Sequence, residues 1–128
     1  MSDTTTRHVR ILVEPEYLPA QSAPQDRRWL FAYHVTIENR GSTTVQLLNR
    51  HWVITNGEGE VAEVRGPGVI GQQPVLQPGE AFRYSSGCPL DTPVGTMHGE
   101  YEMVLPASGE RFMARIAPFR LAMPGALN

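Results

Sequence analysis

The sequence predicts an all-β domain, a sandwich or barrel of roughly seven to nine short strands. Three observations predict it. Apolar side chains recur on alternate positions, most plainly at Trp29, Phe31, Tyr33, Val35 and Ile37, and this alternation excludes the period of about 3.6 that an amphipathic helix needs. The 12 glycines and 11 prolines cluster between such segments, as turn residues do. No window of about ten residues carries a helical pattern.

Taken in order, Met1 to Thr6 is small and polar and is expected to be a disordered N-terminus. Arg7 to Tyr17 alternates, with Val9, Ile11 and Val13 on one face, and Pro15 and Pro19 are expected to end it. Pro19 to Arg28 has no periodicity and reads as a loop. Trp29 to Asn39 is the clearest strand, closed by the turn Asn39-Arg40-Gly41-Ser42. Thr43 to Thr55 is a long strand whose alternation breaks at Asn49-Arg50, which predicts a bulge there. Asn56-Gly57-Glu58-Gly59 is a hairpin turn, and Glu60 to Val64 the returning strand.

Gly66 to Gln73 reads as a loop, Pro74 to Leu76 as a short strand, and Gln77-Pro78-Gly79-Glu80 as a tight turn. Glu80 to Ser85 is strand-like, and Ser86 to Val94 a second irregular loop. Thr96 to Leu105 alternates again and turns at Ala107-Ser108-Gly109-Glu110. It returns through Arg111 to Ile116, with Phe119 to Leu121 extending that strand beyond Pro118 and the short tail Met123 to Asn128 closing the chain.

Composition narrows the function classes. A chain of 128 residues is expected to be one domain, and a net charge of −2 gives no basic footprint for nucleic acid. Cys88 is the single cysteine, so no internal disulfide forms, which agrees with a reducing, cytoplasmic setting. The first residues lack the apolar segment of a signal peptide, and no run approaches the ~20 apolar residues of a membrane span. Oligomeric state stays open between monomer and dimer.

Four constellations in the sequence are candidates for chemistry. Gly66-Pro67-Gly68-Val69-Ile70-Gly71 is formally G-x-G-x-x-G, but Pro74 and Pro78 prevent the helix that would hold a pyrophosphate. A loop needing φ > 0 is the plainer reading; a nest of backbone N–H groups for an anion, helped by Arg65, is the alternative. His8, His34, His51 and His98 and the scattered carboxylates show no metal-ligand spacing, so neither a metal nor another cofactor is expected. Ser85, Ser86 and Cys88 have no adjacent base, and no catalytic set is expected. Trp29 and Trp52 read as core residues of a sandwich; the alternative for Trp52, among Arg50, His51 and β-branched residues, is part exposure in a protein-binding patch. Candidate ligand- or partner-binding residues are therefore Arg50, His51, Arg65, Gly66, Gly68 and Gly71.

Several long, irregular stretches resemble the ApaG family. They are RHWVITNGEGEVAEVRGPGVIGQQPVLQPGE at Arg50 to Glu80, YSSGCPLDTPVGTMHGEYEM at Tyr84 to Met103, WLFAYHVTIENRG at Trp29 to Gly41, and the ending at Phe119 to Asn128. The resemblance implies a single ApaG domain over 1–128, a fibronectin type III/immunoglobulin-like β-sandwich of two antiparallel sheets. It also implies a loose link to cobalt resistance and magnesium efflux, without a settled activity. Related domains end some eukaryotic F-box and polymerase-interacting proteins, where protein binding is supposed. The family's gene neighbourhood with a diadenosine-polyphosphate hydrolase implies a nucleotide-linked sensor or enzyme as the alternative, and the metal link a direct cobalt or magnesium sensor as a second. The leading expectation is a non-enzymatic module that holds a protein partner or an anionic small molecule.

Overall fold

The computed structural model describes residues 1–126. Nine strands follow one another: β1 (Ser2–Thr6), β2 (Val9–Tyr17), β3 (Trp29–Asn39), β4 (Val45–Asn56), β5 (Val61–Pro67), β6 (Val75–Leu76), β7 (Ala81–Leu90), β8 (Val94–Leu105) and β9 (Glu110–Ala122). Short 3-10 turns at Pro19–Gln21 and Pro24–Asp26 are the only helical segments among the described residues. One antiparallel sheet runs β1-β2-β3-β7, and the other β5-β4-β8-β9 with β6 beside β5 on the same flank of β4. This is the two-sheet sandwich that the alternation required, because each strand has one row facing the opposite sheet.

The rows are visible in the burial. Val9, Ile11 and Val13 of β2 and Phe31, Tyr33, Val35 and Ile37 of β3 are all buried, facing Leu47 and Trp52 of β4, Tyr101 and Met103 of β8 and Ile116 and Phe119 of β9. Trp52 sits at the centre, edge-on to Tyr33 at 5.2 Å, Phe119 at 5.9 Å and Tyr101 at 6.2 Å between ring centroids. It belongs to the core, as the sandwich reading expects, and does not take the part-exposed alternative: only 2% of its surface reaches solvent. The cause is the bulge, found between Leu47 and Asn49. Odd positions (Val45, Leu47) face the core before it and even ones (Trp52) after it, since one extra residue exchanges the two faces of a strand.

Four expectations are corrected. The first residues are not frayed: β1 pairs with β2 from Ser2↔Val13 to Thr6↔Val9. Their hairpin turn is Arg7-His8, both with φ > 0 (45° and 69°), a conformation in which glycine or asparagine is usual. Context holds it. Arg7 lies 4.8 Å from the centre of the Phe112 ring and reaches the Glu110 carboxylate, while the His8 carbonyl accepts a bond from Arg40 N–H. Pro15 does not end β2, which pairs with β3 as far as Tyr17↔Phe31. Ser86 to Leu90 is no loop but continues β7 along β3 to Trp29↔Leu90. Gly66 and Pro67, read as loop, complete β5.

Phe119 to Leu121 does extend the last strand. A register shift opposite Met97 and Gly99 absorbs one extra residue of β9 around Pro118, a place where a strand tolerates proline. The tail's last two positions, 127 and 128, lie outside the described residues.

Candidate functional site

Arg50, His51, Arg65 and Gly66 come together around one groove of about 430 Å³ on the β5-β4-β8-β9 sheet, where Asn49, Pro67, Glu100, Glu102 and Met113 complete the lining. Register brings them there: His51 of β4 stands between Arg65 of β5 and Glu100 of β8. His51 Nε2 donates to Glu63 Oε1 at 2.7 Å, and its Nδ1 lies 3.6 Å from Glu100 Oε1. That bond, helped by Arg65, holds the Glu63 carboxyl below the usual carboxylate range. Asn49 donates to Glu102 at 2.7 Å, and Arg65 lies 3.4 Å from Glu63. Glu63, Glu100, Glu102 and Met113 are scattered in the sequence, and only strand register, which spacing does not encode, could have joined them to His51.

Gly68 and Gly71 lie past the groove, in the turn that follows β5. Val69 and Gln72 exchange both main-chain bonds (2.8 and 2.9 Å), with Ile70 (φ 43°) and Gly71 (φ 78°) between them. Gly68 also has φ > 0 (61°), and a side chain there would meet the Gln72 carbonyl oxygen at 2.2 Å. Arg50 straps this turn down: its Nη1 donates to the carbonyls of Pro67 (2.9 Å) and Gly68 (3.0 Å). Gly66 makes room for it, since a Cβ there would lie 2.9 Å from Arg50 Nη2.

The turn therefore offers carbonyl oxygens to Arg50, while the N–H groups of Gly68, Val69 and Gln72 already bond main-chain oxygens. An anion nest requires the opposite polarity. Ile70, at the tip, is 55% exposed, and a β-branched residue with φ > 0 is a true backbone outlier.

Behind Arg50 lies a group of buried phenols. Tyr84 and Tyr101 share a hydroxyl–hydroxyl hydrogen bond, and burial raises the pKa of Tyr33, Tyr84 and Tyr101, with the Arg50 charge opposing the rise. Cys88 is buried too, and burial pushes its thiol up to about 11. It is therefore protonated at neutral pH, which suits packing and not attack.

One polar set escaped the sequence reading. On the other sheet, His34 Nε2 lies 2.9 Å from Glu16 Oε1 and Nδ1 lies 2.6 Å from Ser85 Oγ. A serine–histidine–carboxylate relay works where substrate is held and water excluded. Here His34 is 45% and Glu16 58% exposed on an open sheet face. Among the described residues, no group of three or more His, Cys, Asp or Glu side chains converges as metal ligands would.

The strand order, the two facing sheets and the groove define a fibronectin type III/immunoglobulin-like sandwich with one polar outer face. Residues 19–105 match the ApaG domain, and the chain belongs to the ApaG domain family. Protein ApaG of Rhodospirillum centenum is 58% identical over 124 residues, covering 97% of this chain and 95% of the relative. Protein ApaG of Aromatoleum aromaticum is 51% identical over the whole of both chains. Among solved structures, a Bordetella pertussis protein described as ApaA superposes with a TM-score of 0.89 at 52% identity, over 92% of this chain and 95% of that one. A Bacteroides uniformis β-glucuronidase (TM-score 0.52, 13% identity, 88% of this chain and 13% of that one) shares the fold alone. No described helix is long and apolar enough to cross a membrane.

Proposed function

We propose that this protein is a non-enzymatic binding module whose ligand is another protein, held at the Gly66–Gln73 turn and the adjoining groove of Arg50, His51 and Arg65. One observation carries the reading: Ile70, a β-branched residue, stands exposed at the tip of the turn in a backbone conformation that favours glycine or asparagine. Folding alone would place a residue there that costs less, and backbone strain of about 1–3 kcal/mol persists where function demands it. An exposed aliphatic side chain strapped in place by Arg50 is suited to a pocket on a partner, while the mixed charges of the groove supply a polar rim. The family's cobalt and magnesium association is then indirect, acting through the partner.

The test compares wild type with Ile70→Asn, which keeps the turn. Wild-type protein on beads captures a partner from cell extract, and the variant loses at least about tenfold of that capture while unfolding at a higher temperature. Amide shifts are recorded in parallel with cobalt, magnesium, ATP and a dinucleoside polyphosphate at ~1 mM, which reaches binding as weak as about −4 kcal/mol. Silence with all four agrees with the proposal. Nucleotide shifts confined to residues 66–73 would replace it with the nucleotide-sensor reading, and metal shifts around His51 or His98 with the metal-sensor reading.

A further inference from the structure

The two long sides of the sandwich differ. On one, β1 and β9 meet, and Arg115 N–H donates to Thr6 Oγ1 across the seam at 3.2 Å. On the other, β5 and β7 each end their sheet. β5 is the more exposed of the two, with Val61 63% and Val64 41% open to solvent.

The direction of its backbone groups follows from the ladder. Asn56 N–H bonds Glu60 O, and Gly68 N–H bonds Leu48 O, so both are hydrogen-bonded pairs of the β4–β5 register. Such pairs recur at every second residue in an antiparallel ladder, so Ala62, Val64 and Gly66 turn their N–H and C=O toward β4. Val61, Glu63 and Arg65 turn theirs outward. Pro67 ends the open stretch: it has no N–H, and Arg50 occupies its carbonyl.

From this geometry we infer that β5 is the docking edge for a second copy of this chain, paired antiparallel to itself about a two-fold axis at Val64. Charge selects the register. Centred on Val64, Glu63 of each copy faces Arg65 of the other, both with outward backbone groups, so the two hydrogen-bonded pairs contribute about four main-chain bonds. Val64 packs against its own counterpart in the closer, non-hydrogen-bonded position. A register centred on Glu63 sets glutamate against glutamate, and one centred on Arg65 sets arginine against arginine; both are repulsive. A register offset by one residue faces outward groups with inward ones and forms no ladder. The β7 edge lacks this self-complementarity, since its outward residues Ala81, Arg83, Ser85 and Gly87 include a cation and no carboxylate. A two-fold contact also closes on itself, which stops the open edge from growing into a fibre.

The inference goes beyond the partner-binding reading: Arg65 serves both, but Ile70 has no part in the pairing, so Ile70→Asn tests that reading and leaves the dimer unchanged. Edge pairing alone buries less than the ~1,600 Å² of a standard interface, so the dimer forms at roughly 0.1–1 mM protein. Sedimentation equilibrium from ~10 μM to ~2 mM tests it, with amide exchange read at both ends of the range. The expected result is a monomer–dimer equilibrium in which the amides of Glu63 and Arg65 exchange several-fold more slowly at high concentration, while those of Ala62 and Val64 do not change. Arg65→Glu weakens the dimer at least about tenfold, and Glu63→Arg with Arg65→Glu restores it by exchanging the charges. Should the swap disturb the fold through His51, Arg65→Pro removes an outward N–H, leaves the β4 ladder and the His51–Glu63 bond in place, and abolishes the dimer. A monomer throughout the range would overturn the inference, as would a dimer unaffected by Arg65→Glu and Arg65→Pro, or one that leaves the Glu63 and Arg65 amides unprotected.

Discussion

At the scale of single residues, close approach and burial matter more than charge. Gly99 of β8 lies opposite Trp52, and a Cβ on it would meet the His51 carbonyl oxygen at 2.0 Å. Gly99→Ala must therefore push β4 and β8 apart, and a loss of about 1–3 kcal/mol in urea unfolding is expected. Asn39 is buried with all its bonds made: Nδ2 donates to the carbonyls of Thr43 and Leu76 at 2.9 Å, and Oδ1 accepts from Gly41 N–H at 3.0 Å. Asn39→Leu leaves those carbonyls without their donor and is expected to cost about 2 kcal/mol or more in the same measurement. Cys88, with its thiol raised to about 11, should react with a thiol reagent only as fast as the protein unfolds; rapid labelling of the native protein would show the burial to be wrong. Asn39 was visible in the sequence as a turn residue, but its role as a bracket between β3 and β6 was not, since it depends on contacts 37 residues away.

At the scale of elements, the alternation of β3 and the glycine and proline turns made the strands legible, and the broken alternation at Asn49-Arg50 located the bulge. The consequence of the bulge was not legible. Whether Trp52 faces in or out depends on where the extra residue is absorbed, and the partner strand decides that. β1 was missed for a related reason: Arg7-His8 carries no turn signal, and its left-handed backbone is imposed by Phe112, Glu110 and Arg40 from elsewhere in the chain. The candidate residues Arg50, His51, Arg65 and Gly66 do share a groove, because they lie across from one another on a hairpin that the sequence marks clearly. The strap over the following turn is open to test. Arg50→Ala frees the carbonyls of Pro67 and Gly68 and is expected to cost about 1–3 kcal/mol and to speed amide exchange from Gly68 to Gln72. Unchanged exchange there would mean that the turn holds itself.

At the scale of the whole molecule, the phenols tie the two sheets together and set a limit at high pH. Tyr33 of β3 and Tyr84 of β7 come from one sheet and Tyr101 of β8 from the other, and burial raises all three above their ordinary value. The neutral phenol is the form the fold favours, so the native state binds protons that the unfolded chain releases. The stabilisation is complete below the unfolded value of about 10 and declines as pH rises through the folded values. Stability should therefore fall progressively above about pH 10, and the tyrosinate absorbance of these three side chains should appear together with loss of the sheet signal in circular dichroism. Tyr84→Phe separates burial from the hydrogen bond. It removes a phenol that ionises on unfolding, so the alkaline decline becomes shallower, while at neutral pH Tyr101 loses its partner and stability falls by about 1 kcal/mol. Ionisation of Tyr84 and Tyr101 in the intact sandwich at their ordinary value would contradict the packing of the two sheets around them.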